Sequence, residues 1–278
     1  MKVNYGTKYS LPMLIWLTLL FIVPSAIIIM FSFMEKNQYG GVNPVFSLQA
    51  FKDLMNSAYF KILLNTIYIA VMSTIFTLLL ALPSAYYMAR SKYKSFLMLL
   101  IIIPFWTNFL IRVYAWIAVL GNNGFINQFL LKIGLIKDYI GMLYNNNAVI
   151  LVMVYTYLPY AILPLYAIIE KFDFSLLEAA RDLGASKSQS VFRILIPNIK
   201  SGIITSLLFT FIPAFGNYAI PQIIGDKNTN MLGTVIAREL TTGRNWPLAS
   251  AISMLLTLVT VIGVLVFTSK QKNIKKVI

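Results

Sequence analysis

Six apolar runs, each close to the roughly 20 residues an α-helix needs to cross a bilayer, dominate this chain. They lie at 11–33, 62–89, 96–120, 148–169, 202–224 and 248–268. In hydrocarbon every backbone N–H and C=O must be satisfied within the protein, which favours helices and rules out open sheet edges. The expected fold class is therefore all-α: a polytopic membrane protein with six transmembrane helices, forming one transmembrane domain over 1–278. The first run has 23 residues, longer than the roughly 7–15 of a secretory signal core, and reads as a retained span. Charged residues make up only 12% of the chain, about half the share of an ordinary soluble domain.

The charges that remain carry information. The formal net charge of +14 raises nucleic acid as a partner, but Lys and Arg flanking apolar spans are better read as marks of the cytoplasmic side, next to membrane lipid. With both termini inside, the inner segments hold 14 basic residues and the outer loops 8, so the N-in, C-in arrangement is expected. It assigns the long polar segment 170–200 to the cytoplasm. No cysteine and no histidine occur, which removes thiol chemistry, His/Cys zinc sites and a Ser-His-Asp triad. No metal and no cofactor are expected. No glycine precedes a lysine, so a phosphate-binding loop of the form GxxxxGK[ST] is absent, and any ATP would be hydrolysed by another chain.

The segment Lys171–Pro197 reads as a hairpin of two short helices. Ser175 with Glu178 and Ser186 with Gln189 have the spacing of capping boxes. Gly184 stands between them, where a helix would stop in a left-handed turn, and Pro197 closes the second helix. Within it, Glu178-Ala179-Ala180, then Gly184, then Ile194 and Pro197, resembles the EAA signature of bacterial ABC-importer permeases. Ile196 stands where that family usually has Leu, a volume-conserving change. The resemblance implies that this hairpin couples to an ATPase, through Glu178, Ala179, Ala180, Gly184, Ile194 and Pro197. The bland alternative is a solvated amphipathic hairpin with Glu178 acting only as a cap.

Further runs resemble the spermidine/putrescine (PotB-type) permeases within that family: Pro104 to Trp116, Glu178 to Lys187, Arg244 to Pro247 and Glu170 to Asp173. The resemblance implies a polyamine importer in the bacterial inner membrane. It implies a second permease of the PotC type, two ATPase subunits of the PotA type and an extracytoplasmic binding protein of the PotD type. The same machinery with another cargo (an anion, ferric iron or thiamine) and an ATP-independent transporter or channel remain the alternatives.

No Asp or Glu falls inside the expected spans, so a path for a long cation would rest on aromatic faces and amides. The path candidates are Trp106, Asn108, Tyr155, Asn217 and Tyr218, against a background in which most membrane aromatics pack or sit at interfaces. Tyr155, Pro159 and Tyr166 share a helical face by spacing. Arg112 inside the third run is costly in hydrocarbon; it is expected either to snorkel outward beside Trp116 or to serve as a gate or structural link facing Asn108 or a partner. Thr66, Ser73, Thr77 and Ser84 form a small polar seam suited to a helix contact, across the subunit interface or within the chain. Segments 34–61 and 225–247 read as loops.

Overall fold

The structure, a computed structural model, describes residues 5–274, with side-chain surroundings for 9–265. Lys2, Lys275 and Lys276, on which part of the expected orientation rests, lie outside the described residues, as do both chain ends. In order, the helices are α1 (Tyr5–Ser32), α2 (Gln49–Leu54), α3 (Ser57–Arg90), α4 (Lys94–Ile102), α5 (Phe109–Leu120), α6 (Phe125–Lys132) and α7 (Asn146–Ile169). They continue as α8 (Ser175–Asp182), α9 (Lys187–Ser190), α10 (Ile196–Asn198), α11 (Lys200–Phe215), α12 (Ala219–Ile224), α13 (Leu232–Thr241) and α14 (Trp246–Ile274). One two-stranded sheet, β1 (Met34–Lys36) with β2 (Val42–Phe46), is antiparallel with Lys36 opposite Val42. The chain divides into two compact units, Met1–Lys61 with Val235–Val261, and Ile62–Thr234 with Ile262–Ile278.

In the first unit the expected loop 34–61 folds as the β-hairpin followed by α2. Its tight turn uses Gly40 and Gly41 at φ of +94° and +88°, a region that costs glycine nothing. A Cβ on Gly40 would also meet the Arg244 side chain at 2.6 Å. The Gly41 N–H donates to the Arg244 carbonyl at 2.9 Å, and Phe33 stacks on Phe46 with centroids 6.2 Å apart.

In the second unit α7 is the central helix; most of its length is buried against neighbours. Its partner α11 approaches closely because Gly202 leaves room: a Cβ there would meet Ile168 at 3.0 Å. The Ser206 hydroxyl donates to the Ala161 carbonyl at 2.8 Å, spending its donor across the helix pair instead of leaving it in an apolar core. The polar seam of α3 faces this same core: Thr66, Ser73 and Thr77 are buried, and the Thr66 hydroxyl accepts from the Leu232 N–H at 2.9 Å. Ser84, by contrast, is only half-buried and bonds back to the Leu80 carbonyl. The seam therefore makes its contacts within the chain.

Among the described residues, five helical stretches are long and apolar enough to cross a membrane: Tyr9–Ser32, Ser57–Arg90, Phe109–Lys132 (α5 with α6), Asn146–Ile169 and Trp246–Leu265. A sixth crossing is possible by length through the pair Lys187–Asn198 and Lys200–Phe215, which is bent by 71°. Two runs expected to be continuous are broken. In the third, α4 tightens into a 3₁₀ turn at Ile103–Trp106 and stops at Thr107, whose backbone is extended (φ −82°, ψ 146°). Pro104 brings no N–H to the ladder, and Asn108 restarts the helix as the N-cap of α5, accepting from the Leu110 N–H at 2.8 Å. The fifth run breaks at Gly216–Tyr218 after Pro213, and Asn217 restarts it by accepting from the Ile220 N–H at 2.9 Å. The apolar content of these runs concealed the interruptions because hydropathy averages over a proline–asparagine pair. The expected loop 225–247 likewise contains α13, an amphipathic helix.

Candidate functional site

The polar hairpin is built from Glu170 to Ile199. Its first helix does not start as the spacing of Ser175 and Glu178 suggests. Ser175 lies inside α8 at its first position, and the Asp173 carboxylate accepts from the Ser175 N–H at 3.0 Å. Hydrogen bonds from Ser175, first from its side chain and then from its N–H, hold the Asp173 carboxyl below the usual carboxylate range. The correction has a local cause: Asp173 reaches the free N–H first, so Ser175 need not cap. Glu178 still falls in the first turn, where a carboxylate suits the helix dipole.

α8 ends in a Schellman turn. The Ala185 N–H donates to the Ala180 carbonyl at 3.0 Å and the Gly184 N–H to the Arg181 carbonyl at 2.9 Å. Gly184 adopts φ +91°, as its position in the sequence predicts. The second box is present in full: the Gln189 N–H donates to the Ser186 hydroxyl at 3.2 Å, and the Ser186 N–H donates to the Gln189 side chain at 2.9 Å. After α9 the helix widens into a π turn, Val191–Leu195, ahead of Pro197. A proline has no N–H for the carbonyl four residues back and crowds it, and the wider turn relieves that conflict. Pro197 itself sits within α10, and the direction changes after Asn198.

The hairpin has two sides. On one, Leu177, Leu195 and Ile199 are buried in a cluster with Ala81, Ala85 and Met88 of α3 and Leu165, Tyr166 and Ile169 of α7. Ile194 packs against the same cluster, so among the residues expected to couple it is an anchor. On the other side Glu178, Ala179, Gly184 and Pro197 are exposed, with Ala180 partly covered. Beside them stand two large apolar side chains that sequence reasoning passed over: Leu183 is 89% exposed and Phe192 69%. The available signal for Leu183 was its polar setting after Arg181 and Asp182; Phe192 lies beside Val191, Ile194, Leu195 and Ile196, and its neighbours gave no such signal.

The entry to the hairpin is held from a second direction. Lys94 at the start of α4 donates to Glu170 at 2.6 Å. This bond, followed by one from Tyr166, holds the Glu170 carboxyl below its ordinary range, and the same contact raises Lys94. The Arg90 guanidinium, at the end of α3, lies 5.3 Å from the Phe174 ring centroid and 5.8 Å from that of Tyr86. Its Nη1 also donates to the Tyr86 hydroxyl at 3.0 Å.

The five path candidates do not converge on one point. Asn108 and Asn217 cap α5 and α12 at the two breaks, which commits their carbonyl oxygens. Asn217 also donates to the Tyr157 hydroxyl at 2.7 Å, which in turn donates to the Pro213 carbonyl at 3.0 Å. Tyr155 meets Trp116 edge-on at 5.4 Å, while Tyr166, expected on the same face, is buried in the hairpin's anchoring cluster. Trp106 and Tyr218 are exposed. What joins the two breaks is a ladder that the candidate set omitted: Phe105 to Tyr160 at 5.3 Å, Tyr160 to Tyr157 at 6.3 Å, then Asn217. Arg112 joins this ladder by its guanidinium, 5.1 Å from the Phe105 centroid, and does not engage the Asn108 side chain. Its Nε is buried without an acceptor.

Long apolar helices, one of them lined with small hydroxyl residues, and an anchored polar hairpin are the features of a polytopic membrane protein. The chain belongs to the binding-protein-dependent transport system inner membrane component family, whose pattern it matches over residues 74–275. It is 38% identical over 263 residues to the spermidine/putrescine transport system permease protein PotB of Escherichia coli strain K12, covering 94% of this chain and 96% of that one. The PotB protein of Haemophilus influenzae is 34% identical, covering 94% and 92%. In fold it is similar to a chain of a crystallised bacterial ABC transporter involved in the import of the acidic polysaccharide alginate, with a TM-score of 0.77 over 99% of both chains at 19% identity.

Proposed function

We propose that this chain is the PotB-type permease subunit of an ATP-driven importer of polyamines such as spermidine and putrescine. The observation that carries the reading is the match to PotB over nearly the whole of both chains, which includes the hairpin and both broken runs. In this reading the permease provides the path and makes no covalent bond. It pairs with a second permease of the PotC type, rests on two ATPase subunits of the PotA type and receives cargo from a binding protein of the PotD type. Both termini and the hairpin face the cytoplasm, in line with the 14-to-8 excess of basic residues.

The coupling step follows from the hairpin. A rigid pair of helices offers Leu183 and Phe192 as apolar knobs, with Glu178 and the low surface over Ala179 and Ala180 beside them. An ATPase groove seated on these residues would carry its closure into the hairpin. The hairpin's buried side would pass that movement to α3 and α7 through Leu177, Leu195 and Ile199. The two breaks, where Asn108 and Asn217 interrupt apolar runs, give the spans points at which to bend, and the exposed rings of Trp106 and Tyr218 offer π faces to an alkylammonium cargo. Asn217 acts by holding Tyr157.

The test is uptake of labelled spermidine and putrescine in cells lacking other polyamine importers. Uptake that depends on this gene and on a co-expressed ATPase is expected. Unchanged uptake after its deletion removes the cargo assignment, and uptake of a different solute by the same complex redirects it. Glu178→Arg together with Gly184→Pro is expected to abolish ATPase co-purification.

A further inference from the structure

The contacts around the start of the hairpin assign it a second mechanical connection, at the rim of its buried side. We propose that Arg90, Phe174, Lys94 and Glu170 form a clamp that makes the α3–α4 elbow and the hairpin entry move as one body. The proposal rests on the coupling reading above.

Five contacts converge on one place. The elbow between α3 and α4 is short, from Arg90 at the end of one helix to Lys94 at the start of the next. The entry to the hairpin is equally short, from Glu170 at the end of α7 to Phe174 just before α8. Arg90 at one end of the elbow meets Phe174 at one end of the entry, 5.3 Å from guanidinium to ring. Lys94 at the other end of the elbow meets Glu170 at the other end of the entry, 2.6 Å from nitrogen to oxygen. Two attachments at opposite ends of two short segments remove hinge rotation that a single contact would permit. The Phe174 ring is further held by edge-on contacts with Tyr86 at 5.9 Å and Phe172 at 5.5 Å. Arg90 in turn donates to the Tyr86 hydroxyl at 3.0 Å, so the planar group cannot turn away from Phe174 without losing a second partner.

Neither contact contributes much to stability. Lys94 and Glu170 are about half and a third exposed, and exposed ion pairs are worth little. Their value lies in direction. The buried side of the hairpin packs on α3 and α7 and also meets Leu97, Met98 and Ile101 of α4, and the clamp adds a directed polar attachment at the first residue of α4, the helix that leads into the break at Thr107 and Asn108. Motion of the hairpin is then delivered to a broken run instead of being dissipated in the elbow. Lysine in place of Arg90 keeps the charge but loses the flat face and the fork of donors.

The test uses the complete importer, with both permeases, ATPases and binding protein, in proteoliposomes that report ATP hydrolysis and uptake together. In Arg90→Lys, Phe174→Leu and Lys94→Met with Glu170→Met, ATPase co-purification and ATP hydrolysis are expected to stay within about twofold of wild type, while uptake per ATP falls about fivefold. Exchange of the ionic partners, Lys94→Glu with Glu170→Lys, is expected to recover at least half of the loss, to about 60% of wild-type coupling or more. Unchanged uptake per ATP in the assembled variants overturns the clamp. So does uptake lost only in step with ATPase co-purification, because the residues would then merely fold the hairpin.

A second measurement replaces the ion pair by a covalent link. The chain has no cysteine, so Lys94→Cys with Glu170→Cys can be joined by a short bifunctional thiol reagent. Segments that move together tolerate the link, and uptake should persist at about half of the unlinked level or more. Loss of uptake on linking, reversed by cleavage of the reagent, overturns the proposal. A wild-type complex in which the ATPase does not bind this chain defeats the coupling reading itself and is seen before any variant is examined.

Discussion

The two sides of the hairpin carry similar apolar residues in opposite surroundings. Leu177 is 2% exposed and Leu183, in the same short stretch, 89%. Both are leucines separated by fewer than two helical turns, and nothing in their individual chemistry distinguishes them. The difference lies in what each side meets. Leu177 faces α3 and α7, and with Leu195 and Ile199 it holds the hairpin in place. Leu183 stands at the Schellman turn with no covering side chain among the described residues. The contrast shows how one short element can be buried on one side and open on the other: helical periodicity turns one side inward, and a glycine turn holds the other out.

Leu195→Asp attacks the anchored side most severely. It places a carboxylate in an apolar cluster without a partner and is expected to destabilise the hairpin by at least about 3 kcal/mol. Limited proteolysis between α7 and α11 should accelerate and ATPase co-purification should disappear. Leu183→Arg tests the exposed side. Stability should change by no more than about 0.5 kcal/mol, yet ATPase retention should drop about tenfold. Equal loss of stability from both variants would erase the distinction between the sides. Gly184→Ala is smaller: no atom lies within 4 Å of a Cβ placed there, so only the left-handed backbone resists, by about 1 kcal/mol in thermal or denaturant unfolding.

The smallest effect is that of pH on Lys94–Glu170. Glu170 is depressed by its bond from Lys94 and then from Tyr166, with Lys171 also favouring its charged form. Its contribution is therefore present above the ordinary carboxylate value and is lost as pH falls through the depressed one. Lys94 is raised by the same bond, so its contribution is complete below the ordinary lysine value and is lost as pH climbs through the raised one. Spin labels placed at Ser91 and Phe172 should keep their separation across the neutral range and spread at the acid and alkaline ends. A separation that drifts around neutrality would show that the pair does not hold the elbow.

Much of this arrangement was legible before any coordinates. Gly184 in its left-handed turn, the Ser186–Gln189 box and the long helices α3 and α7 each follow from local rules. Other features were not. Ser175 has the right spacing for a cap but lost the role to Asp173, a competition between neighbouring side chains that spacing cannot rank. The third and fifth apolar runs appear unbroken because Asn108 and Asn217 are short and few, although each caps a new helix. The Phe105–Tyr160–Tyr157–Asn217 ladder joins three separate stretches, and no periodicity within one stretch reports it.

The sequence by itself determined the solvent each stretch requires, the approximate places of its apolar helices, and the glycine turn and second capping box of the hairpin. These depend on residues within a few positions of one another, so they can be read along the chain. Tertiary structure alone decided that Leu177 is buried and Leu183 exposed, that the α3 seam packs within the chain, and that Arg90 and Lys94 meet the hairpin's entry. Those outcomes depend on which distant helix supplies the facing surface, and burial, unlike hydropathy, belongs to a pair of surfaces and not to a residue.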